Sequence, residues 1–155
     1  AAATTHLETG MTIGTHTTLG TNALAQIEEL DARGVHASAW IWIHAHEEKD
    51  LTHQVEAARR GAWISFDGIN PDSVAAHVEM VRHLRDRGFL QRVLVSQDAG
   101  WYTPSEPHGG NIRGYGTILT KFVPALRSAG FTSEEIDTLF VTNPARAFAI
   151  EVRKL

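Results

Sequence analysis

The chain has 155 residues, 43% of them hydrophobic, enough for one domain with a real core and ordinary for a globular protein. Its 14 Lys plus Arg against 18 Asp plus Glu leave a net charge of −4 without any basic block, which argues against a nucleic-acid partner. Cysteine is absent, so there is neither a disulfide framework nor a thiolate metal site; any bound metal must use His, Asp or Glu, and the composition leans towards a cytoplasmic protein.

No apolar run reaches the roughly 18 residues that a membrane helix needs. The opening Ala1-Ala2-Ala3-Thr4-Thr5-His6 lacks the basic-then-apolar order of a signal peptide. It also lacks an initiator Met, as expected of a processed or trimmed polypeptide.

Along the chain, Met11 to His16 reads as a short strand. Gly20 to Gly34 follows as a helix with Leu24, Ile27 and Leu30 on one face and a glycine at its end. A second strand is expected from His36 to His44, then a helix over Asp50 to Arg60 with Leu51, Val55 and Ala58 inward, then a third strand from Ala62 to Phe66. Asn70-Pro71-Asp72-Ser73 carries helix-start chemistry, with Asp72 or Ser73 as cap, ahead of the buried stripe Val74, Val81 and Leu84. The fourth strand is Arg92 to Ser96.

Asp98 to Gly116 is far longer than most connections and reads as a binding or lid element. Helices then cover Thr117 to Ala129 and Ser133 to Phe140, with a final one from about Asn143. Strand–helix alternation four times over implies a parallel α/β sheet. A complete (β/α)8 barrel needs eight strands and about 250 residues, so this chain supplies half a barrel.

Two of the strands end in histidine, at His16 and His44, and Asp98 lies just past the end of another. In a parallel barrel, strand C-termini share one face. Imidazole nitrogen and carboxylate oxygen are what divalent zinc accepts where thiolates are missing. His46 competes with His44, since a strand two residues longer would present it on the same side. The remaining residues read more plainly. Trp40, Trp42 and Trp63 belong to the core; His53, His77 and His83 sit on solvated or half-buried helix faces; His108 lies in the long loop. Asp67, Trp101 and Tyr102 are placed on strand-end loops where a substrate pocket forms, although Asp67 reads first as a turn or cap residue.

The order and spacing of Thr15-His16-Thr17, the His44 strand with the Asp50-Leu51 helix, Phe66-Asp67, Leu94-Val95-Ser96-Gln97-Asp98, Phe122-Val123-Pro124-Ala125-Leu126-Arg127 and Thr142-Asn143-Pro144-Ala145-Arg146 resemble the phosphotriesterase-like metal-dependent hydrolases of the amidohydrolase superfamily. The resemblance implies the C-terminal half of a TIM-type barrel, strands five to eight, over residues 1–155. It places metal ligands at His16, His44 and Asp98, with His44 ahead of His46 and Asp98 also handling the proton.

It further implies a binuclear divalent centre, zinc first, acting on a lactone, ester or phosphotriester. A His-x-His pair and a carboxylated lysine, which the family supplies from its first half, are missing from this sequence. The position after Asp67, often a polar substrate contact in the family, is Gly68. A half-barrel is expected to pair with its missing half or with a second copy. The competing reading is a catalytically incomplete binding or oligomerising module.

Overall fold

The computed structural model describes residues 1–155, and four parallel strands form its sheet: β1 (Ile13–His16), β2 (Trp40–Ile43), β3 (Trp63–Phe66) and β4 (Val93–Val95), paired in chain order. Parallel neighbours need a crossover, and helices α2 (Gly20–Asp31), α3 (Leu51–Arg59) and α4 (Val74–Arg85) provide the three.

Side chains alternate along each strand. Trp40, Trp42, Ile64, Phe66 and Val93 join Ile27, Ala57, Val81 and Leu84 of the helices in the main core. Ile41, Trp63 and Leu94 face the other way and pack with Ala147 in a small cluster of their own. The result is the expected half of a (β/α) barrel, with helices over one face of the sheet and a second face forming the inner wall. β1 and β4 each have a single strand neighbour, so both outer edges are unpaired.

Several local features depart from the sequence expectation. β2 begins at Trp40 rather than His36, because His36 Nδ1 accepts from Ser38 N (3.2 Å) and starts a 3-10 turn over Ala37–Ala39. The turn before α4 is held by Asn70, whose Oδ1 accepts from the backbone of Asp72 and Ser73, and by Ser73, whose Oγ accepts from Asn70 N and donates to Gly68 O without capping the helix itself. His77 is buried, not solvated: it is 3% exposed and its Nδ1 donates to Ser73 O.

Helix α1 (Ala2–Thr9) was not expected. Its His6 is fully buried; Nδ1 donates to Met11 O and Nε2 accepts from Arg153 N, each at 2.8 Å, so one imidazole joins the two ends of the chain. Gly10 lies there with φ 74°, and a Cβ on it would sit 2.8 Å from Glu151 N, so only glycine fits the crossing.

The C-terminal helices do not break at Asn143. Helix α6 (Ser133–Asp137), opened by a Thr132–Glu135 capping box, continues through a π-helical stretch Thr138–Thr142 into α7 (Asn143–Ala147). The same device, Ile118–Phe122, precedes α5 (Val123–Ser128). Pro144 and Pro124 explain both: a proline removes the i→i−4 bond and crowds the carbonyl one turn back, and a locally widened turn accommodates it.

Candidate metal centre

His16 closes β1 on the inner side because its neighbours are committed to the outer side. Thr15 Oγ1 accepts from Trp40 Nε1 (2.8 Å) and donates to Gln26 Oε1 (2.6 Å), and Gln26 Nε2 donates to Thr17 Oγ1 (2.9 Å). Trp42 Nε1 holds Thr17 O. The Thr-His-Thr run is thus pinned to α2 and β2 at both flanks, leaving the imidazole between them to face inward.

His44 follows β2 in the left-handed conformation, φ 65°, and the chain then turns through Ala45–Glu47. That turn breaks strand alternation, so His46 is not carried onto the face of His44. His46 instead fills the space that Gly68 leaves open, where a Cβ would lie 2.3 Å from its Nε2. Its ring centroid is 5.3 Å from that of His77.

Asp67, one residue past β3, is neither a turn cap nor a free wall residue. It is 5% exposed; Oδ1 accepts from His44 Nδ1 (2.7 Å), and Oδ2 accepts from His44 N and Ser65 Oγ, both at 2.9 Å. His46 Nδ1 lies 3.3 Å from Oδ1. Burial pushes this carboxyl up, but the His46 imidazole and the bonds from His44 and Ser65 outweigh it and hold the group well below the usual carboxylate range.

Because the carboxylate takes the proton side of Nδ1, His44 presents Nε2 as a lone pair. That nitrogen lies 3.0 Å from His16 Nδ1, with the rings edge to face. Two imidazole nitrogens this close can both reach a common divalent ion at about 2 Å each, and a carboxylate behind one of them is the usual support of a metal-binding histidine.

His16, His44, Asp67 and Asp98 line one cavity of about 450 Å³, whose wall includes Ile41 and Leu94. A tighter group, His44, His46 and Asp67, has its donor atoms all within 4.8 Å of one another. The donor set therefore fits a divalent cation, with His16 and His44 brought together and Asp98 on the same cavity.

Asp98 is exposed, with φ 40°. Its carbonyl accepts from Trp101 Nε1 and, like that of Gln97, from Arg113 Nη2. Trp101 is 69% exposed and borders a neighbouring hollow that it shares with Asp98. Tyr102, 63% exposed, lies against Gly109 and lines neither space.

Residues 1–148 match the model of the phosphotriesterase family. The chain belongs to that family. A phosphotriesterase homology protein of Escherichia coli strain K12 is 35% identical over 151 residues, which span 96% of this chain and 51% of that protein. A solved lactonase from Listeria monocytogenes superposes with a TM-score of 0.83 at 31% identity, covering 96% of this chain and 47% of the other. A structure of the Escherichia coli protein with phosphate in its active site gives 0.82 at 34% identity, covering 96% and 51%.

The chain therefore spans about half the length of the phosphotriesterase-family relatives it matches. His46 is expected from the sequence as a neighbour or supporting partner of His44, whereas the support that Asp67 and Ser65 give it is not. The local signals were only a polar residue inside an apolar strand and an aspartate after it, and what makes them partners is the register of β2 against β3.

Proposed function

We propose that residues 1–155 are the C-terminal half, strands five to eight, of a single (β/α)8 metal-dependent hydrolase that opens a lactone or another ester. The observation that carries this reading is the convergence of His16 and His44, nitrogen to nitrogen at 3.0 Å, on a cavity that Asp98 also lines. Its substrate class is suggested by two relatives, the Listeria monocytogenes lactonase and a phospho-furanose lactonase of Mycoplasmopsis synoviae, 28% identical over 99% of this chain.

In this reading His16, His44 and Asp98 hold divalent metal, zinc first, within a binuclear centre whose remaining ligands come from the other half of the barrel. When bound, the cation lowers the pKa of a water and polarises the oxygen of the scissile group. Asp67 keeps the proton on His44 Nδ1 and so keeps Nε2 available, while the Asp98 carboxylate takes the proton of the attacking water. Trp101 borders the substrate side. The protein is read as cytoplasmic, and no helix in the chain is long and apolar enough to cross a membrane.

Metal analysis and a lactonase assay of the purified full-length protein, with both halves of the barrel present, test this. One or more divalent ions per chain and activity abolished by chelation are expected, with H16N and H44N each losing metal. Hydrolysis indifferent to chelation would overturn it.

The two unpaired strand edges favour one second reading, a catalytically incomplete half-barrel that acts by association with a copy of itself or with the complementary half. Sedimentation of the chain tests it: association with a copy of itself or with the complementary half is expected, and a monomer that hydrolyses lactones unaided would contradict both the half-barrel argument and the association reading.

A further inference from the structure

We infer that the end of the sheet opposite the metal centre carries an anion site, formed by Arg92, Arg146 and Arg153, that binds the phosphate group of a small phosphomonoester or phosphate itself. Arg92 immediately precedes β4 and Trp63 opens β3, so the site lies at the strand N-termini, whereas His16, His44 and Asp98 lie at or beyond the C-termini. The three arginines line a cleft of about 420 Å³ that shares no residue with the metal-centre cavity.

The ion pairs of this chain occupy Arg33, Arg59, Arg60, Arg82 and Arg85; none reaches the three cleft arginines. Glu151 borders the same cleft yet lies beyond ion-pair distance of all of them. In a chain of net charge −4, three guanidinium groups collected without an ion-paired acid are not a by-product of a basic surface.

Arg92 is half-buried and its guanidinium stacks over the Trp63 ring at 5.2 Å, which fixes the plane of its fork without using its donors. Arg153 Nη2 is spent on Arg146 O (2.9 Å) and Ala149 O (3.1 Å), tying the end of α7 to the cleft rim. Neither the Arg92 nor the Arg146 guanidinium donates to a protein acceptor.

Burial, with Arg146 and Arg153 close by, pushes the Arg92 guanidinium down from its usual range, which a bound oxyanion would reverse. Guanidinium forks match phosphate oxygens bidentately, and a dianion answers several cations at once where a single carboxylate does not. Trp63 and Ala149 give the cleft an apolar side, and its volume leaves room beyond a phosphate for a small organic body.

Calorimetric titration of the 155-residue chain with inorganic phosphate, in chelator and at constant ionic strength, tests the assignment. Saturable 1:1 binding is expected, weakened about tenfold in R92Q and in R146Q, whose exposed position makes misfolding no excuse, and unchanged in H44N. A parallel titration with glycerol 3-phosphate separates the sources: tighter binding assigns the phosphomonoester, equal binding assigns free phosphate. Absence of saturable heat, binding indifferent to R92Q and R146Q, or binding lost in H44N would overturn the site.

Discussion

The two sides of the cavity are built on different principles. On the β1–β3 side, His16 and His44 are held by side chains that are themselves held: threonines bonded to Gln26 and two tryptophans, and a buried Asp67 bonded to Ser65. On the β4 side, Asp98 stands on an exposed loop, its own carboxylate unheld, gripped through main-chain carbonyls by Arg113 and Trp101 and through the Gln97 side chain by Tyr115 O and Ile118 N. The two imidazoles are thus pre-organised, whereas the Asp98 carboxylate rides on a segment that can adjust. Under the proposed function, such a division would keep the ion on the rigid side and leave proton handling to the adjustable one.

That contrast breaks most severely at Asp67. D67N keeps the shape but replaces the acceptor that fixes the His44 tautomer, and zinc titration should show affinity lowered about 10- to 100-fold. Next is G68A, whose Cβ would enter the space of His46 Nε2; urea unfolding should show a loss of about 1–3 kcal/mol. G114A sharpens the comparison from the loop side, because nothing lies within 4 Å of a Cβ there. Its stability should stay within about 0.5 kcal/mol of the parent.

R113M releases the carbonyls of Gln97 and Asp98. Steady-state kinetics should show kcat reduced about tenfold by misplacement of the carboxylate, with zinc affinity falling less than in D67N because His16 and His44 are untouched.

A small effect belongs to Glu56 on α3, bonded to Arg59 and Arg60, which with burial acting against them lower its pKa to about 2. A folded pKa below the ordinary value means that the contribution is present above roughly pH 4.3 and fades as pH falls towards the folded value. The group is partly solvated, so E56Q should cost about 0.5 kcal/mol at neutral pH and almost nothing at low pH, read from urea midpoints.

The strand ends were legible because an apolar run closing on a polar residue is a local pattern, and Ile13–His16 and Trp40–Ile43 obey it. The helical faces of α2 and α4 were legible for the same reason, through Ile27, Leu30, Val81 and Leu84. The support of His44 was not, since Asp67 meets it across 23 residues and only strand pairing brings them together.

Helix α1 was illegible because Thr4 and Thr5 are poor helix formers and no side chain caps its start; His6 and Arg153 hold it from 147 residues apart. Proline at 144 signalled a new helix start, whereas a widened turn let the old helix run on.

The imidazole of His6 has a practical consequence for anyone handling this polypeptide. It grips the carbonyl of Met11, two residues ahead of the strand that delivers His16, and takes its other bond from the third residue before the carboxyl end. A change that moves the Arg153 backbone N–H would therefore be felt through His6 at the Met11 carbonyl, just ahead of β1.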